Sequence, residues 1–303
     1  MNEGHRPRLD DLELPMGKRA RLRRLLHTTG PANGTLLLLL ADQALESGPA
    51  AFPDGPATAR PAHAIELAGH GGVSAVVAGI GPAERDYRAQ AGRVPLLLKL
   101  NGKTSIPPDD EALAPLNATV EDAVRLGADG VVYALYPGSP AQFEDFTQLS
   151  QVRQDCHRFG LLLVVLAAPR GAAVERKGGP ESLYALEYAA MAAAELGADL
   201  VILDAPLANT QRDPQMPKPY ATLQLVAGEA LRRVVAAAGG VPVILQADGA
   251  LDPEALLAAA QARLEAGAAG LAYGHGLWGR PAIEAVELVA RVGTIATEFA
   301  SKE

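Results

Sequence analysis

The sequence predicts an α/β chain closed into a single (β/α)8 TIM barrel, and three observations carry that prediction. Eight short apolar runs recur along the 303 residues, each followed by a polar or glycine-rich loop and then an alanine-rich helical stretch. The runs are apolar almost throughout rather than alternating, which is the pattern of strands buried on both faces in a parallel sheet. Eight strand-then-helix units over about 270 residues have the repeat count and length of a closed barrel.

In order along the chain, residues 1–30 form an N-terminal extension and residues 31–303 the barrel domain. The strands are expected at "TLLLLLAD" (35–42), "SAVVAGI" (74–80), "VPLLLKLNG" (94–102) and "GVVYALYPG" (130–138), then at "LLLVVLAAPRG" (161–171), "DLVILDAP" (199–206), "VPVILQADG" (241–249) and "GLAYGHG" (270–276). Seven helical segments separate them, and "RPAIEAVELVARVGTIATEFA" supplies the eighth. The proline-rich "SGPAAFPDGPATARP" (47–61) reads as a long loop after the first strand. A local echo supports the repeat: "RLGADGVVY", "ELGADLVIL" and "EAGAAGLAY" each end a helix on glycine, which supplies the left-handed cap that turns the chain into the next strand. Hydrophobic residues make up 49% but aromatics only 4%, so Ala, Leu and Val must build the core. An open doubly wound sheet is the alternative, but no glycine-rich dinucleotide turn follows the first strand.

The net charge of -8 is diffuse and argues against a nucleic-acid or anionic-membrane partner. The single cysteine, Cys156, excludes an internal disulfide framework and reads as a structural thiol. The N-terminus lacks an apolar core of signal-peptide length, and "GTLLLLLADQA" is too short to cross a bilayer, so a cytoplasmic protein is expected.

In such a barrel the working residues stand at the carboxyl ends of the strands. Those ends carry Asp42, then Lys99, Asn101 and Lys103, then Tyr133 and Tyr136, then Arg170, Asp204, Gln246, Asp248, Tyr273 and His275. A lysine among apolar strand residues is costly unless paired, so Lys99 is expected at the mouth with Asp42 and Asp204 as partners. It is then either a structural ion pair or an imine-forming amine. The turns around Gly249 and around Gly274 and His275 either seat a phosphate through backbone N–H groups or are simply tight turns. The spacing of Asp42, Asp204, Asp248 and His275 matches no metal signature, so neither a metal nor another cofactor is expected.

"MGKRARLRRLL", "LLLLLADQALESGP", "LLLKLNGKTSI", "EDAVRLGADGVVYALYPGS", "APRG" and "GADLVILDAP" together resemble, in order and spacing over residues 16–282, the archaeal-type class I fructose-bisphosphate aldolases. The wider group includes deoxyribose-phosphate aldolase. The resemblance implies a (β/α)8 barrel of class I aldolase type that acts on phosphorylated sugars through a lysine Schiff base. It also implies a large ring-like homo-oligomer, a decamer among its sizes; a hetero-oligomer with an active paralogue is the expectation if the chain is a non-catalytic subunit. Asp42 matches the aspartate of the family's Asp-His-Gly motif, with Gln43 and Ala44 in place of the other two residues. The sequence departs from the family at the strand ends. The Lys-x-Lys of strand six is Ile202 and Asp204, the acid–base tyrosine of strand five is Ala168, and the arginine of strand eight gives way to Gly274, His275 and Gly276.

Two functions follow as expectations. One is a divergent carbon–carbon lyase on a phosphorylated sugar or small carbonyl compound. It would use Lys99 or Lys103 as a relocated amine, with Asp42, Asp204 and Tyr136 or Tyr133 around it and Asn101, Lys103, Arg170, Gln246, Asp248, Gly249, Gly274 and His275 holding substrate. The other is a non-catalytic homologue that binds a metabolite or serves as a subunit of an aldolase-like oligomer.

Overall fold

The computed structural model describes residues 8–49, 60–207, 216–247 and 252–299. Its strands are β1 (Leu36–Leu40), β2 (Ala75–Gly79), β3 (Leu96–Lys99), β4 (Gly130–Leu135), β5 (Leu162–Ala167), β6 (Leu200–Leu203), β7 (Val243–Ala247) and β8 (Gly270–Tyr273). Helix α1 (Met16–His27) precedes them. Helices α2 (Gln43–Ser47) and α3 (Pro61–Gly69) follow β1, α4 (Ile80–Asp86) follows β2 and α5 (Val120–Arg125) follows β3. Next come α6 (Gln142–Phe159) after β4, α7 (Ala172–Glu175) and α8 (Leu183–Glu195) after β5, and α9 (Ala227–Ala237) after β6. Helix α10 (Pro253–Glu265) follows β7, and α11 (His275–Trp278) and α12 (Ala282–Glu298) follow β8.

The strands pair in sequence order, all parallel, and β8 closes on β1. The pleat sends alternate residues to opposite faces, so each strand serves two cores. Leu36, Leu38, Leu40, Val77, Leu97, Val132, Val164, Ile202 and Ile244 fill the barrel interior. Leu37, Leu39, Val131, Val165, Val201 and Leu271 pack instead beneath the helices. Three equivalent helix-to-strand turns are made by Gly127, Gly197 and Gly267, at φ 69°, 92° and 94°. A side chain there would be strained, which is why the echo in the sequence keeps glycine. Cys156 is buried on α6, and burial pushes its thiol up to about 12, the behaviour of an inert core thiol.

The N-terminal segment is built into the barrel. Leu22, Leu25 and Leu26 of α1 join the interior cluster, and Lys18 pairs at 2.7 Å with Asp199, just ahead of β6. Arg24 pairs with Asp129, just ahead of β4. Helix α1 therefore closes the amino-terminal end of the barrel, opposite the mouth. Leu25→Ala, at a fully buried position, is expected to lower the unfolding free energy by about 2–5 kcal/mol in a urea titration. Among the described residues no helix is long and apolar enough to cross a membrane.

Candidate active site

The carboxyl ends of β1, β3, β4 and β5 bring charged groups together at the mouth. Leu97 points into the barrel, so Lys99, two residues on, faces the same interior at the rim. Leu40 likewise leads to Asp42, which immediately precedes α2 and sets Glu46 one helical turn further on. The Lys99 Nζ lies 2.7 Å from Asp42 and 2.6 Å from Glu46, with the side chains of Lys99 and Asp42 only 6% and 3% exposed. Burial alone would lower the lysine pKa, but the two carboxylates more than offset it and hold the ammonium above its ordinary value. The amine is thus protonated at neutral pH, and a protonated amine is no nucleophile.

A second cluster stands beside the first. Asp109 accepts Lys103 at 2.5 Å and Arg170 at 3.5 Å, so two cations share one carboxylate. The Arg170 guanidinium sits 5.9 Å over the Tyr136 ring. Tyr136 is buried; burial, then Glu46, raise its phenol pKa, while Lys99 and Arg170 act against them. Its backbone N–H donates to the Asp145 carboxylate at 2.9 Å, which anchors the end of β4 to α6.

Over residues 36–280 the chain matches a family model described as DeoC/LacD family aldolase. The chain belongs to the DeoC/LacD aldolase family. The fructose-bisphosphate aldolase class 1 of Thermoproteus tenax is 36% identical over 248 residues, covering 82% of this chain and 84% of that protein. The enzyme of the same name from Halobacterium salinarum is 30% identical over 251 residues, covering 82% and 86%. The crystal structure of an archaeal fructose 1,6-bisphosphate aldolase superposes with a TM-score of 0.76 at 32% identity, covering 91% of this chain and 99% of that one.

Several residues of this DeoC/LacD barrel stand elsewhere than the sequence suggests. Lys99 takes Glu46 rather than Asp204 as its second partner, because β3 and β6 are three strands apart around the barrel and α2 lies next to β3. Glu46 and Asp109 were legible only as polar loop residues; the i,i+4 spacing of Asp42 and Glu46 is the one local signal for the former. Tyr133 does not reach the mouth. It sits in the middle of β4 on the helix-facing side, where its hydroxyl donates to Asp145 at 2.6 Å. Asn101 is buried, and its amide is committed to the backbone. It accepts from the Ala134 N–H at 2.7 Å and donates to the Ala134 and Ala114 carbonyls at 2.8 and 3.2 Å, so it braces the loop after β3 rather than offering a hand to substrate.

Strand β6 places Ile202 fully buried in the barrel interior, and Asp204 half-buried just beyond the strand. Ala168 packs against Tyr136, Ala112, Ala114 and Ala134, a small apolar floor under the Arg170 side of the mouth. Gln246, near the end of β7, is half-buried. Asp248 and Gly249 lie outside the described residues. Gly274 precedes α11, whose first residue, His275, donates its backbone N–H to Gln43 and sets its ring 5.1 Å from that of Trp278. Gln43, standing at the second position of the Asp-His-Gly motif, thus ties β1 to the turn after β8. Among the described residues no three His, Cys, Asp or Glu side chains gather into a metal site.

Proposed function

We propose that this chain is a non-catalytic member of its family that binds a phosphorylated sugar or a small phosphorylated carbonyl compound at the barrel mouth without forming an imine. The observation that carries this reading is the state of Lys99. It is the only lysine in any of the eight strands, and its ammonium is clamped between Asp42 and Glu46. The positions that the family resemblance assigns to imine and acid–base chemistry are Ile202, Asp204 and Ala168. An isoleucine or an aspartate cannot form an imine, and an alanine cannot shuttle a proton.

The ligand class is supported by the relatives, which are named for action on fructose bisphosphate, and by charge. Lys103 and Arg170 converge on the Asp109 carboxylate beside Tyr136, which puts two cationic donors within reach of one phosphate. The Lys99 corner has two carboxylates to one ammonium and repels an anion.

The competing reading is a carbon–carbon lyase with Lys99 or Lys103 as a relocated nucleophile, favoured by the inward aim of Lys99. One experiment separates the two. Purified protein is titrated calorimetrically with dihydroxyacetone phosphate and fructose 1,6-bisphosphate, then reduced with borohydride in their presence and weighed intact by mass spectrometry. Saturable binding with no added mass is the expected result. Because the Lys99 ammonium is held above its ordinary pKa, raising the pH to 9 should leave the outcome unchanged. An adduct mapped to Lys99 or Lys103 overturns the non-catalytic reading, and absence of binding overturns the ligand class.

A further inference from the structure

Outside the mouth, a cavity of about 220 Å³ opens between the loops that follow β4 and β5 and the first turns of α8. Pro137 and Pro169 wall it from the two loops, Tyr184 and Tyr188 from α8, and Gln142 and Lys177 from α6 and the turn after α7. The wall is pre-formed. The Arg170 N–H donates to the Pro137 carbonyl at 3.2 Å, which stitches the two loops together, and at Gly138, where φ is 93°, a Cβ would collide with Val174. Tyr184 and Tyr188 stand one helical turn apart with their ring centroids 6.1 Å from each other, edge to face, and Tyr184 makes a second edge contact with Tyr220 at 5.2 Å.

Two observations point to a ligand here. Tyr188 is 57% exposed, a large aromatic left uncovered at the border of a concave apolar wall. Lys177 is the single charged residue of that lining and makes no ion pair among the described residues, and the Gln142 side chain makes no hydrogen bond there. By contrast, Lys99, Lys103 and Arg170 at the mouth each have a carboxylate partner. Size narrows the choice. An apolar cavity of about 150 Å³ holds a benzene ring, so this one has room for one ring with a short substituent, and it falls below the roughly 300–1,000 Å³ of sites for drug-sized ligands. A bare anion would leave the tyrosine rings wet, and a neutral ring would leave Lys177 unanswered.

We propose that this cavity is a second ligand site that takes a small aromatic acid, a single ring lying against Tyr184 and Tyr188 with its carboxylate at the Lys177 ammonium and the Gln142 amide. Pro137 follows Tyr136 and Pro169 precedes Arg170, so the site shares its walls with the loops that carry those residues. Its chemistry is separate from the sugar-phosphate reading and stands or falls without it.

Phenylacetate is the probe, with acetate and benzyl alcohol as its ring-less and uncharged counterparts, in ligand-observed NMR titrations of the wild type, Tyr188→Ala, Lys177→Gln and Lys103→Met. Tyr188 and Lys177 are partly exposed, so their variants keep the fold. The wild type is expected to bind phenylacetate with a Kd of about 1 mM or tighter, and acetate at least about tenfold more weakly. Tyr188→Ala should weaken phenylacetate and benzyl alcohol alike, about three- to tenfold. Lys177→Gln should weaken phenylacetate by about the same factor while leaving benzyl alcohol within about twofold. Lys103→Met, which alters only the mouth, should leave phenylacetate unchanged. No saturable phenylacetate binding, acetate that binds as tightly, or an affinity that falls with Lys103→Met but not with Tyr188→Ala and Lys177→Gln overturns the site. So does a wild-type oligomer that Tyr188→Ala dissociates in sedimentation while the wild type takes up no acid, which would give this face to a second copy of the chain.

Discussion

Replacing Lys99 with methionine is expected to lower the unfolding free energy at pH 7 by about 3–5 kcal/mol, the cost of leaving buried carboxylates without their cation. The side chain of Asp42 is almost fully enclosed and that of Glu46 is 30% exposed, so water can do little to replace the lost ammonium at the first of them. The effect has a defined pH dependence. In the wild type the folded lysine pKa is raised, so its contribution is fully present below the ordinary lysine value of about 10.4 and is lost only as pH rises through the folded value. In Lys99→Met the two carboxylates can be neutralised by protons, and the deficit should shrink as pH falls toward about 4. Adding Asp42→Asn should recover part of the loss at pH 7, since it removes the more buried of the stranded charges. Urea unfolding of the wild type, single and double variants at both pH values checks this, and a single variant as stable as wild type would show that the pair is not what holds this corner together.

Asp204→Lys is expected to change the outcome of borohydride trapping with dihydroxyacetone phosphate from no adduct to one covalent adduct per chain. Asp204 is half-buried just beyond β6, at the position where the family resemblance puts a lysine. Replacing an anion there by an amine puts a second positive charge near the buried Arg263, which already feels the Asp204 carboxylate. A like charge nearby lowers a lysine pKa and increases the neutral, nucleophilic fraction. Turnover should stay absent, because Ala168 still offers no proton-transfer group. Intact mass and peptide mapping read the adduct; a folded variant that binds the ligand and still traps nothing would mean that more than the missing amine separates this chain from an imine-forming barrel.

Much of the fold was legible because burial writes itself into composition. All eight strands fall within the apolar runs that predict them, since a strand covered on both faces has no polar position to spare. The pairing of Lys99 with Asp42 was legible for the same reason, as a buried charge demands its opposite. The facing direction of side chains was less so. Tyr133 and Tyr136 are three residues apart, an odd spacing that sends them to opposite faces of β4, yet only closure of the sheet says which of the two faces the interior. Asn101 reads as a polar residue at a strand end, and only the return of the loop to Ala114 shows its amide already occupied.

By itself, then, the sequence determined the barrel, the family, the inward lysine and the lack of a lysine in strand six, because each is set by residue type and period along one strand. Tertiary structure alone decided that Glu46 and not Asp204 completes the Lys99 clamp, and that Asp109 holds Lys103 and Arg170 together. The physical reason is that hydrogen bonds and ion pairs act over a few ångströms, so partners are chosen by which strand ends and loops become neighbours once the sheet has closed.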